Sequence, residues 1–198
     1  MQNAECKMQN MPVLAKTFLP TPLGPMLTVV SPGGLCGLEF DRPERSVRLW
    51  TRLGRWMPGH EIEDLKRGTE ADRVVELTAS WLEIYFRTGR DPEQAVTLSL
   101  AGTPFEQEVW ALLRTIAAGE TRSYAWVARE LRRPDAARAV GAAVGANPVS
   151  LLVPCHRVVG TNGSLTGYGG GMDRKQWLLR HEGAPGIAAE LFLDRETM

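Results

Sequence analysis

The residues with the clearest chemical potential lie at positions 154–159, which read Pro-Cys-His-Arg-Val-Val. They follow a short apolar run at 149–153 and precede a glycine-dense loop. The thiolate is the reactive form of cysteine, and a neighbouring base or cation lowers the thiol pKa. Cys155 beside His156, where a predicted buried strand ends, is therefore a candidate sulfur nucleophile. Neighbours on a strand point to opposite faces, so a packed core cysteine beside an unrelated histidine is the alternative.

The glycine-dense loop spans residues 161–171 and carries one aromatic residue, Tyr168. Glycines let a backbone approach a ligand closely and leave its N–H groups accessible. The loop is not a phosphate-binding loop of the Walker type, because no Lys-Ser/Thr pair follows at the required spacing. It either forms a flat wall for a planar ligand or is a flexible surface loop.

The cysteine count argues against a disulfide framework. The three cysteines stand at positions 6, 36 and 155, an odd number that suits a reducing compartment in which Cys155 stays free. Cys6, Cys36, His60 and His181 match no compact zinc-ligand spacing, so we expect no metal site.

Length and hydropathy are those of an ordinary globular protein. With 198 residues and 43% hydrophobic content, the chain can form one domain or two small ones. No apolar run approaches the length of a membrane span, and residues 1–10 lack the charged-then-apolar order of a secretory signal. We therefore expect a cytoplasmic protein without a membrane partner, associated with the nucleoid if its source is bacterial.

The charge is unevenly distributed although the whole chain has a net charge of zero. Residues 121–180 contain nine basic and three acidic side chains, a net charge of +6, and the remainder carries −6. A basic segment around the candidate nucleophile is the pattern expected of a surface that contacts phosphates. A mixed, solvated surface is the alternative.

The first half of the chain predicts a small sheet with one long helix. Residues 13–40 indicate β structure, with a hairpin turn at Ser31–Gly34. Residues 41–68 are rich in Arg, Gly and Pro and predict a surface connection with at most one short helix. Helical spacing of apolar residues from Val74 to Tyr85 predicts a helix that ends near Gly89. Alternation at 96–100 predicts a strand, after which we place a domain boundary at about residue 101.

The second half predicts four helices. Thr103-Pro-Phe-Glu106 has the form of a capping box for a helix that ends at Gly119. Three further helices are predicted, from Ser123 as cap to Leu131, from Asp135 to Ala146, and from a cap near Asp173 to Glu182, closed by Gly183. The first two of these three, separated by a brief turn at Arg133-Pro134, are typical of a helix-turn-helix.

The helix predicted at 135–146 carries only one long polar side chain, Arg138, among alanines, glycines and valines. Reading bases in the major groove requires several long hydrogen-bonding side chains. A smooth helix suits close approach to a minor groove or a DNA backbone, with Arg138 as a wedge. A small-residue helix buried in the core is an equally good interpretation.

Taken together, these features resemble one known family, the O6-alkylguanine-DNA alkyltransferases, also called methylated-DNA–protein-cysteine methyltransferases. The resemblance is strong over residues 103–184 and loose over the N-terminal half. Its motifs occur in family order and spacing: Tyr124, Ala-Ala-Arg-Ala-Val-Gly at 136–141, Asn147-Pro148, Pro-Cys-His-Arg-Val-Val at 154–159, Gly167-Tyr168 and Trp-Leu-Leu-Arg-His-Glu-Gly at 177–183.

The resemblance implies an α/β (α+β) fold in two domains. Residues 1–100 would form a small sheet-plus-helix domain of ribonuclease H-like type. Residues 101–198 would form a mainly helical domain that carries the helix-turn-helix and the active-site loop.

The resemblance also implies catalytic roles. Cys155 would accept the alkyl group, His156 would take the thiol proton through a water, and Glu182 would orient that imidazole. Asn147 would brace the turn that carries the active-site segment. Tyr124 would hydrogen-bond the base or help to protonate the departing guanine. These roles require a cavity beside Cys155 that can hold a purine.

The implied partner is double-stranded DNA that contains O6-alkylguanine, with O4-alkylthymine as a further candidate lesion. A protein thiol cannot reach O6 inside a stacked duplex, so the nucleotide must flip out, and Arg138 would fill the gap. Further implied contacts fall into two groups, the DNA-binding residues Tyr124, Ala136, Ala137, Gly141, Ala142 and Gly145, and the pocket residues Pro154, Val158, Tyr168 and Gly169. The thioether product implies one reaction per molecule without a cofactor, by a monomer that can bind DNA cooperatively.

Three other functional classes compete with this interpretation. A non-enzymatic sensor of alkylated DNA would share the fold but lack the acceptor cysteine. A methylation-responsive regulator would use the helix-turn-helix but usually carries a further DNA-binding or Cys-rich domain. A cysteine protease is disfavoured because the papain-like signature around the cysteine is absent.

Overall fold

A computed structural model describes residues 12–185, and four of its strands form one sheet. The strands are β1 (Val13–Leu19), β2 (Met26–Ser31), β3 (Gly34–Phe40) and β4 (Glu61–Asp64), in the order β3-β2-β1-β4. β2 pairs antiparallel with both β1 and β3, whereas β4 pairs parallel with β1. The predicted hairpin is confirmed, and so is the α/β class.

The connection from β3 to β4 is more ordered than its composition suggests. A 14-residue helix, α1, runs over Pro43–Trp56 and β4 follows it. The segment 41–68 thus contains a helix longer than the one short helix that was allowed for, and a strand that was not predicted. The buried positions of α1 are Arg45, Leu49 and Leu53, spaced four apart on one narrow stripe. The remaining α1 positions include several arginines, which conceal that stripe in the sequence.

The long helix α2 occupies Glu70–Thr88 and ends at Gly89, as predicted. Gly89 adopts φ 65°, a left-handed conformation that glycine adopts without steric cost. The strand predicted at 96–100 is wrong, because only Leu98 forms a single bridge, with Leu35. The alternation there reflects apolar side chains that pack on the core from an extended segment.

Four helices follow in the second half: α3 (Pro104–Leu113), α4 (Tyr124–Glu130), α5 (Ala137–Gly145) and α6 (Met172–His181). The capping box at Thr103 is confirmed, but α3 ends at Leu113 and not at Gly119. Ser123 caps α4 as predicted, through its Oγ and the backbone N–H of Trp126 at 3.0 Å. The cap predicted near Asp173 is wrong, since α6 begins after Gly171 without a side-chain cap.

The predicted helix-turn-helix is present as α4, a 3-10 turn at Pro134–Ala136, and α5. On α5, Val140, Ala143 and Val144 are buried against the core. Arg138, Ala142 and Gly145 lie on the opposite, exposed face. The core interpretation is therefore confirmed for one face of this helix, and contact of the exposed face with DNA stays a prediction.

One hydrophobic cluster joins both halves of the chain. It includes Met26, Leu35 and Tyr85 from the first half together with Trp110 and Leu178 from the second. The hydrophobic core does not divide at residue 101. The domain boundary placed there stays a prediction. Within residues 12–185, no helix is both long and apolar enough to cross a membrane.

Candidate active site

Cys155 opens a short 3-10 helix, Cys155–Arg157, and is 7% exposed. The preceding residues 149–153 form turns and single bridges rather than a strand, so the predicted strand end is wrong. Leu151 adopts φ 72°, an uncommon conformation for a bulky residue. The nucleophile is therefore held on a tight, buried turn.

Asn147 fixes this turn from within. Its Nδ2 donates to the carbonyl of Val153 (2.8 Å) and to Sγ of Cys155 (3.2 Å), and its Oδ1 accepts from the N–H of Val149 (3.0 Å). Asn147 is itself 1% exposed, so these bonds are shielded from water. The residue expected to brace the active-site segment lies where it can do so and also touches the sulfur.

Burial raises the pKa of the Cys155 thiol to about 11, even though the hydrogen bond from Asn147 acts in the opposite direction. The expectation of a lowered thiol pKa is therefore wrong for the protein without DNA. The sulfur rests as a neutral thiol, and a base must take its proton before it can attack. A low thiolate population also protects the cysteine from unrelated electrophiles.

His156 and Glu182 form the hydrogen-bonded pair that the sequence alone cannot derive. Nε2 of His156 lies 2.7 Å from Oε1 of Glu182, and both side chains are buried. Burial opposes ionisation of Glu182, but His156 and Arg157 together hold the pKa of this carboxyl well below its usual range. Burial lowers the pKa of His156. Ionised Glu182 thus accepts Nε2–H from a neutral imidazole, and Nδ1 is the basic nitrogen.

Sequence analysis missed the groups that hold Glu182. The hydroxyl of Tyr85 on α2 donates to Oε1 of Glu182 (2.7 Å), and Nη2 of Arg157 donates to the same oxygen (2.9 Å). Arg157 also forms two bonds to Asp91, of 2.7 and 2.8 Å. The apolar pattern of α2 assigned Tyr85 to the core only, and Arg157 was counted among surface cations although it is 1% exposed.

A second missed group is the buried ion pair of Glu39 and Arg45. Nε of Arg45 donates to Oε2 of Glu39 (3.3 Å), and its Nη2 is bonded to Oε1 of the same carboxylate. The guanidinium also donates to the carbonyls of Gly145 (3.2 Å) and Asn147 (3.3 Å). Helix α1 therefore reaches the turn that carries Asn147. This contact could not be foreseen, because the sequence indicated neither the length nor the position of α1.

The glycine-rich loop is anchored by Lys175 of α6. Its buried Nζ donates to the carbonyls of Val158 (2.6 Å) and Thr166 (2.8 Å), and burial lowers its pKa to about 8. Gly169 lies so close to Arg45 that an added Cβ would stand 2.5 Å from the guanidinium carbon. The missing side chain at position 169 therefore makes room for Arg45.

A small cavity of about 40 Å³ lies at the sulfur. Its wall combines the helix-turn-helix, the glycine-rich loop and the Asn147 turn, through Arg45, Tyr124, Gly141, Val144, Gly145, Ser150, Cys155, Gly167, Tyr168 and Gly169. Small-molecule pockets begin at roughly 300 Å³, so the cavity is far too small for a purine as it stands. The expected purine-sized cavity is thus absent from this closed arrangement.

The structure separates the predicted pocket residues into two groups. Tyr168 and Gly169 line the cavity together with Tyr124, Gly141 and Gly145. Pro154 and Val158 do not: Pro154 borders a different groove beside Asp91, and Val158 is buried in strand β6 (Val158–Val159), which pairs with β5 (Arg122–Ser123). What Val158 contributes is its backbone carbonyl, which accepts a hydrogen bond from Nζ of Lys175.

The predicted DNA-binding residues share one surface. Arg138, Ala142 and Gly145 are exposed on α5, while Ala136, Ala137 and Gly141 are half-buried. The ring of Tyr124 lies beneath Gly141, where an added Cβ would be 3.8 Å away. The smooth face of α5 is thus directly above the cavity of Cys155.

The other cysteines and histidines do not form a metal site within residues 12–185, where no group of three or more His, Cys, Asp or Glu could hold an ion. Burial raises the pKa of Cys36 to about 12, and His181 stacks on Trp177. Cys6 lies outside the described residues.

Comparison with known proteins places this site in context. The family model described as 6-O-methylguanine DNA methyltransferase, DNA binding domain, matches residues 104–184. The chain is 42% identical over 172 residues to the methylated-DNA–protein-cysteine methyltransferase of Shigella flexneri, covering 86% of this chain and 96% of the relative. It is 50% identical over 153 residues to that of Mycolicibacterium paratuberculosis, covering 73% and 92%.

Solved structures give the same result. OGT from Mycobacterium tuberculosis in complex with DNA aligns with a TM-score of 0.63 and 35% identity, over 89% of this chain and 97% of that chain. The O6-methylguanine-DNA methyltransferase of Pyrococcus kodakaraensis aligns with a TM-score of 0.61 and 26% identity, over 86% and 99%. The likeness therefore extends well beyond the C-terminal motifs into the N-terminal half.

Proposed function

The chain belongs to the methylated-DNA–protein-cysteine methyltransferase family. From this premise we propose that the sulfur of Cys155 accepts the alkyl group in a DNA repair reaction. The protein repairs DNA by alkyl transfer, and the substrate is O6-alkylguanine in a duplex. The observation that carries the assignment is the cavity that joins Cys155 to the exposed face of α5. A lesion swung out of a duplex on that face would arrive at the sulfur.

The proton path follows from the hydrogen bonds. Nε2 of His156 is committed to Glu182, whereas its buried Nδ1 has no hydrogen-bond partner among residues 12–185. Nδ1 would accept the thiol proton through a bridging water, and ionised Glu182 would stabilise the imidazolium. The sulfur then attacks the alkyl carbon. The new S–C bond forms as the C–O6 bond breaks, and the departing guanine takes a proton from the hydroxyl of Tyr124, which lines the cavity. The proton held by His156 then returns through water to restore the Tyr124 hydroxyl.

The closed cavity has to open before a purine can enter. Gly167, one of its lining residues, is exposed, and an added Cβ there would meet no atom within 4 Å. The loop at Gly167 therefore has space to move outwards, whereas Asn147 and Arg45 are held by buried hydrogen bonds. Opening of this loop on DNA binding would expose the thiol, which is otherwise buried.

The product is a thioether, and Cys155 is the one cysteine among residues 12–185 that lines the cavity, so each molecule would react once without a cofactor. The protein would act wherever the genome lies, which in a bacterium is the cytoplasm. O4-alkylthymine as a second substrate and cooperative assembly on DNA remain part of the proposal.

Incubation with duplex that contains O6-methylguanine should add one methyl group per protein molecule, located on Cys155. Once the cavity opens, the lesion can reach this sulfur, whereas Cys36 is fully buried and has a higher thiol pKa. Intact mass followed by peptide mapping measures both the number and the position. Cys155→Ser should take up no methyl group, and uptake beyond one equivalent, or on Cys36, would contradict the proposal.

Arg138→Ala should slow repair of duplex by about tenfold or more, because the arginine would offset part of a flipping cost of a few kcal/mol. Its reaction with free O6-benzylguanine, which needs no flipping, should change little. Single-turnover rates on the two substrates give the comparison, with Arg87→Ala, an exposed arginine on α2 outside the basic segment, as control. Equal losses on both substrates would rule out the wedge role.

A further inference from the structure

A groove of about 740 Å³ separates helix α1 from helix α5. One wall consists of α1 and includes Arg48, Arg52 and Arg55. The other wall includes Gly141, Ala142 and Gly145, which belong to the face of α5 that stands above the Cys155 cavity. The groove is therefore continuous with the surface at which the lesion would be presented.

The arginines of this groove differ in how their charge is balanced. Arg45, at the floor, is paired with Glu39, and Arg52 is paired with Glu106 at 2.8 Å. Arg48 and Arg55 are exposed, and neither forms an ion pair with any residue of the described range 12–185. The two carboxylates of the groove, Glu39 and Glu106, are already paired with Arg45 and Arg52. Arg48 is near only the exposed carboxylate of Glu44, with which it forms no ion pair, so both guanidinium groups are available to an outside anion.

The spacing of these two arginines places them on the same side of α1. They are seven positions apart, which is two helical turns and about 10 Å along the axis. Arg52 lies between them and is held in place by Glu106, so the row has a fixed middle and two unpaired ends. Two long side chains at that separation can reach neighbouring phosphates of one strand.

We propose that Arg48 and Arg55 contact the phosphate backbone of the duplex, and thereby extend the DNA-binding surface from α5 onto the N-terminal half of the protein. The inference rests on the proposed function, because it takes the exposed face of α5 as the centre of the DNA surface. A duplex seated on small residues at 141–145 comes close to the helix backbone, and its flanking strand then passes the mouth of the groove. Exposed guanidinium groups that form no ion pair within residues 12–185 are suited to such phosphate contacts.

Not every cation of the basic segment at 121–180 can contact a phosphate. The basic segment at 121–180 includes Arg157 and Lys175, which are both buried and bonded inside the protein. Fewer cations of that segment therefore face solvent than the sequence count implies. Arg48 and Arg55 lie outside that segment, in the part of the chain whose net charge is −6. They would add to the positive surface that the exposed cations of 121–180 provide.

The test is the salt dependence of duplex binding for the double variant Arg48→Gln/Arg55→Gln. Each phosphate contact contributes about 0.9 to the slope of log K against log salt concentration, so the slope should become shallower by about 1.8 and binding should weaken. Arg48→Lys/Arg55→Lys keeps both charges and should retain the original slope. Arg67→Gln removes an exposed arginine elsewhere in the N-terminal half, in a groove that also contains Asp64, Asp72 and Glu76, and should leave the slope unchanged.

An unchanged slope in the Gln double variant, or an equal change in Arg67→Gln, would overturn the inference. So would a binding loss that is the same at all salt concentrations, which would point to altered packing of α1 rather than to lost phosphate contacts. Transfer of the benzyl group from free O6-benzylguanine to the unmodified protein tests the proposed function separately, because that reaction involves no phosphate.

Discussion

Replacing Glu182 by glutamine should slow alkyl transfer to Cys155 by about 100-fold or more, the lower range of what a positioned general base contributes. Ionised Glu182 fixes the tautomer of His156 in which Nδ1 is free to accept a proton, and it stabilises the imidazolium that forms. A neutral amide at this position stabilises that cation much less. Because the Cys155 thiol has a pKa of about 11, the reaction depends strongly on this relay. Single-turnover reaction with O6-benzylguanine measures the effect without a contribution from DNA binding.

The pH profile distinguishes a lost relay from damaged packing. Burial lowers the pKa of His156, so the rate of the unmodified protein should fall only when the pH drops below the usual histidine value of about 6.5. Without the carboxylate, the pKa of His156 should fall further, and the acid limb should move to lower pH. Glu76→Gln on the exposed side of α2 is the matched control. A Glu182→Gln protein with a normal rate, or with an unshifted acid limb, would contradict the relay.

Features that depend on neighbouring residues could be predicted from the sequence. The hairpin turn at Ser31–Gly34, the capping box at Thr103 and the helix end at Gly89 each involve atoms within a few residues of one another. Turn and cap preferences act at that range, so their sequence signals are strong. The length and position of helix α1 were not predicted because its apolar stripe is narrow and lies among arginines.

Features that depend on packing between distant segments could not be predicted. The bond from Tyr85 to Glu182 joins positions 97 residues apart, and the bond from Arg45 to the carbonyl of Asn147 joins positions 102 residues apart. No periodicity in either segment signals its partner. Only family resemblance pointed to the pairing of His156 with Glu182, and it did not extend to the residues that support the pair.

The same reasoning explains why the thiol pKa was predicted in the wrong direction. The sequence shows a histidine beside Cys155, and a neighbouring base or cation lowers a thiol pKa. Burial of the sulfur is a property of the whole fold, and in this protein it outweighs the polar neighbours. His156 is moreover turned towards Glu182, so it serves as a base for a neutral thiol and not as a cation beside a thiolate.

Arg45→Met should lower the free energy of unfolding by about 3–5 kcal/mol, the usual cost of leaving one member of a buried ion pair without its partner. The variant would leave the carboxylate of Glu39 with Ser150 as its remaining side-chain donor (3.0 Å). It would also remove a donor from the carbonyls of Gly145 and Asn147, which belong to the active-site turn. Urea denaturation measures the loss. Arg73→Met, which breaks an exposed pair with Glu70, should cost no more than about 1 kcal/mol.

Two further measurements show whether the orphaned charge is the cause. The double variant Glu39→Gln/Arg45→Met removes that charge, so it should be more stable than Arg45→Met alone, although each substitution by itself is destabilising. Burial already raises the pKa of Glu39, and without Arg45 the folded protein should hold a proton that the unfolded chain releases. The stability of Arg45→Met should therefore fall as the pH rises above about 4.3, and its deficit should be larger at pH 8 than at pH 5. Additive losses in the double variant and a deficit independent of pH would instead indicate that Arg45 acts only through packing and its bonds to the turn.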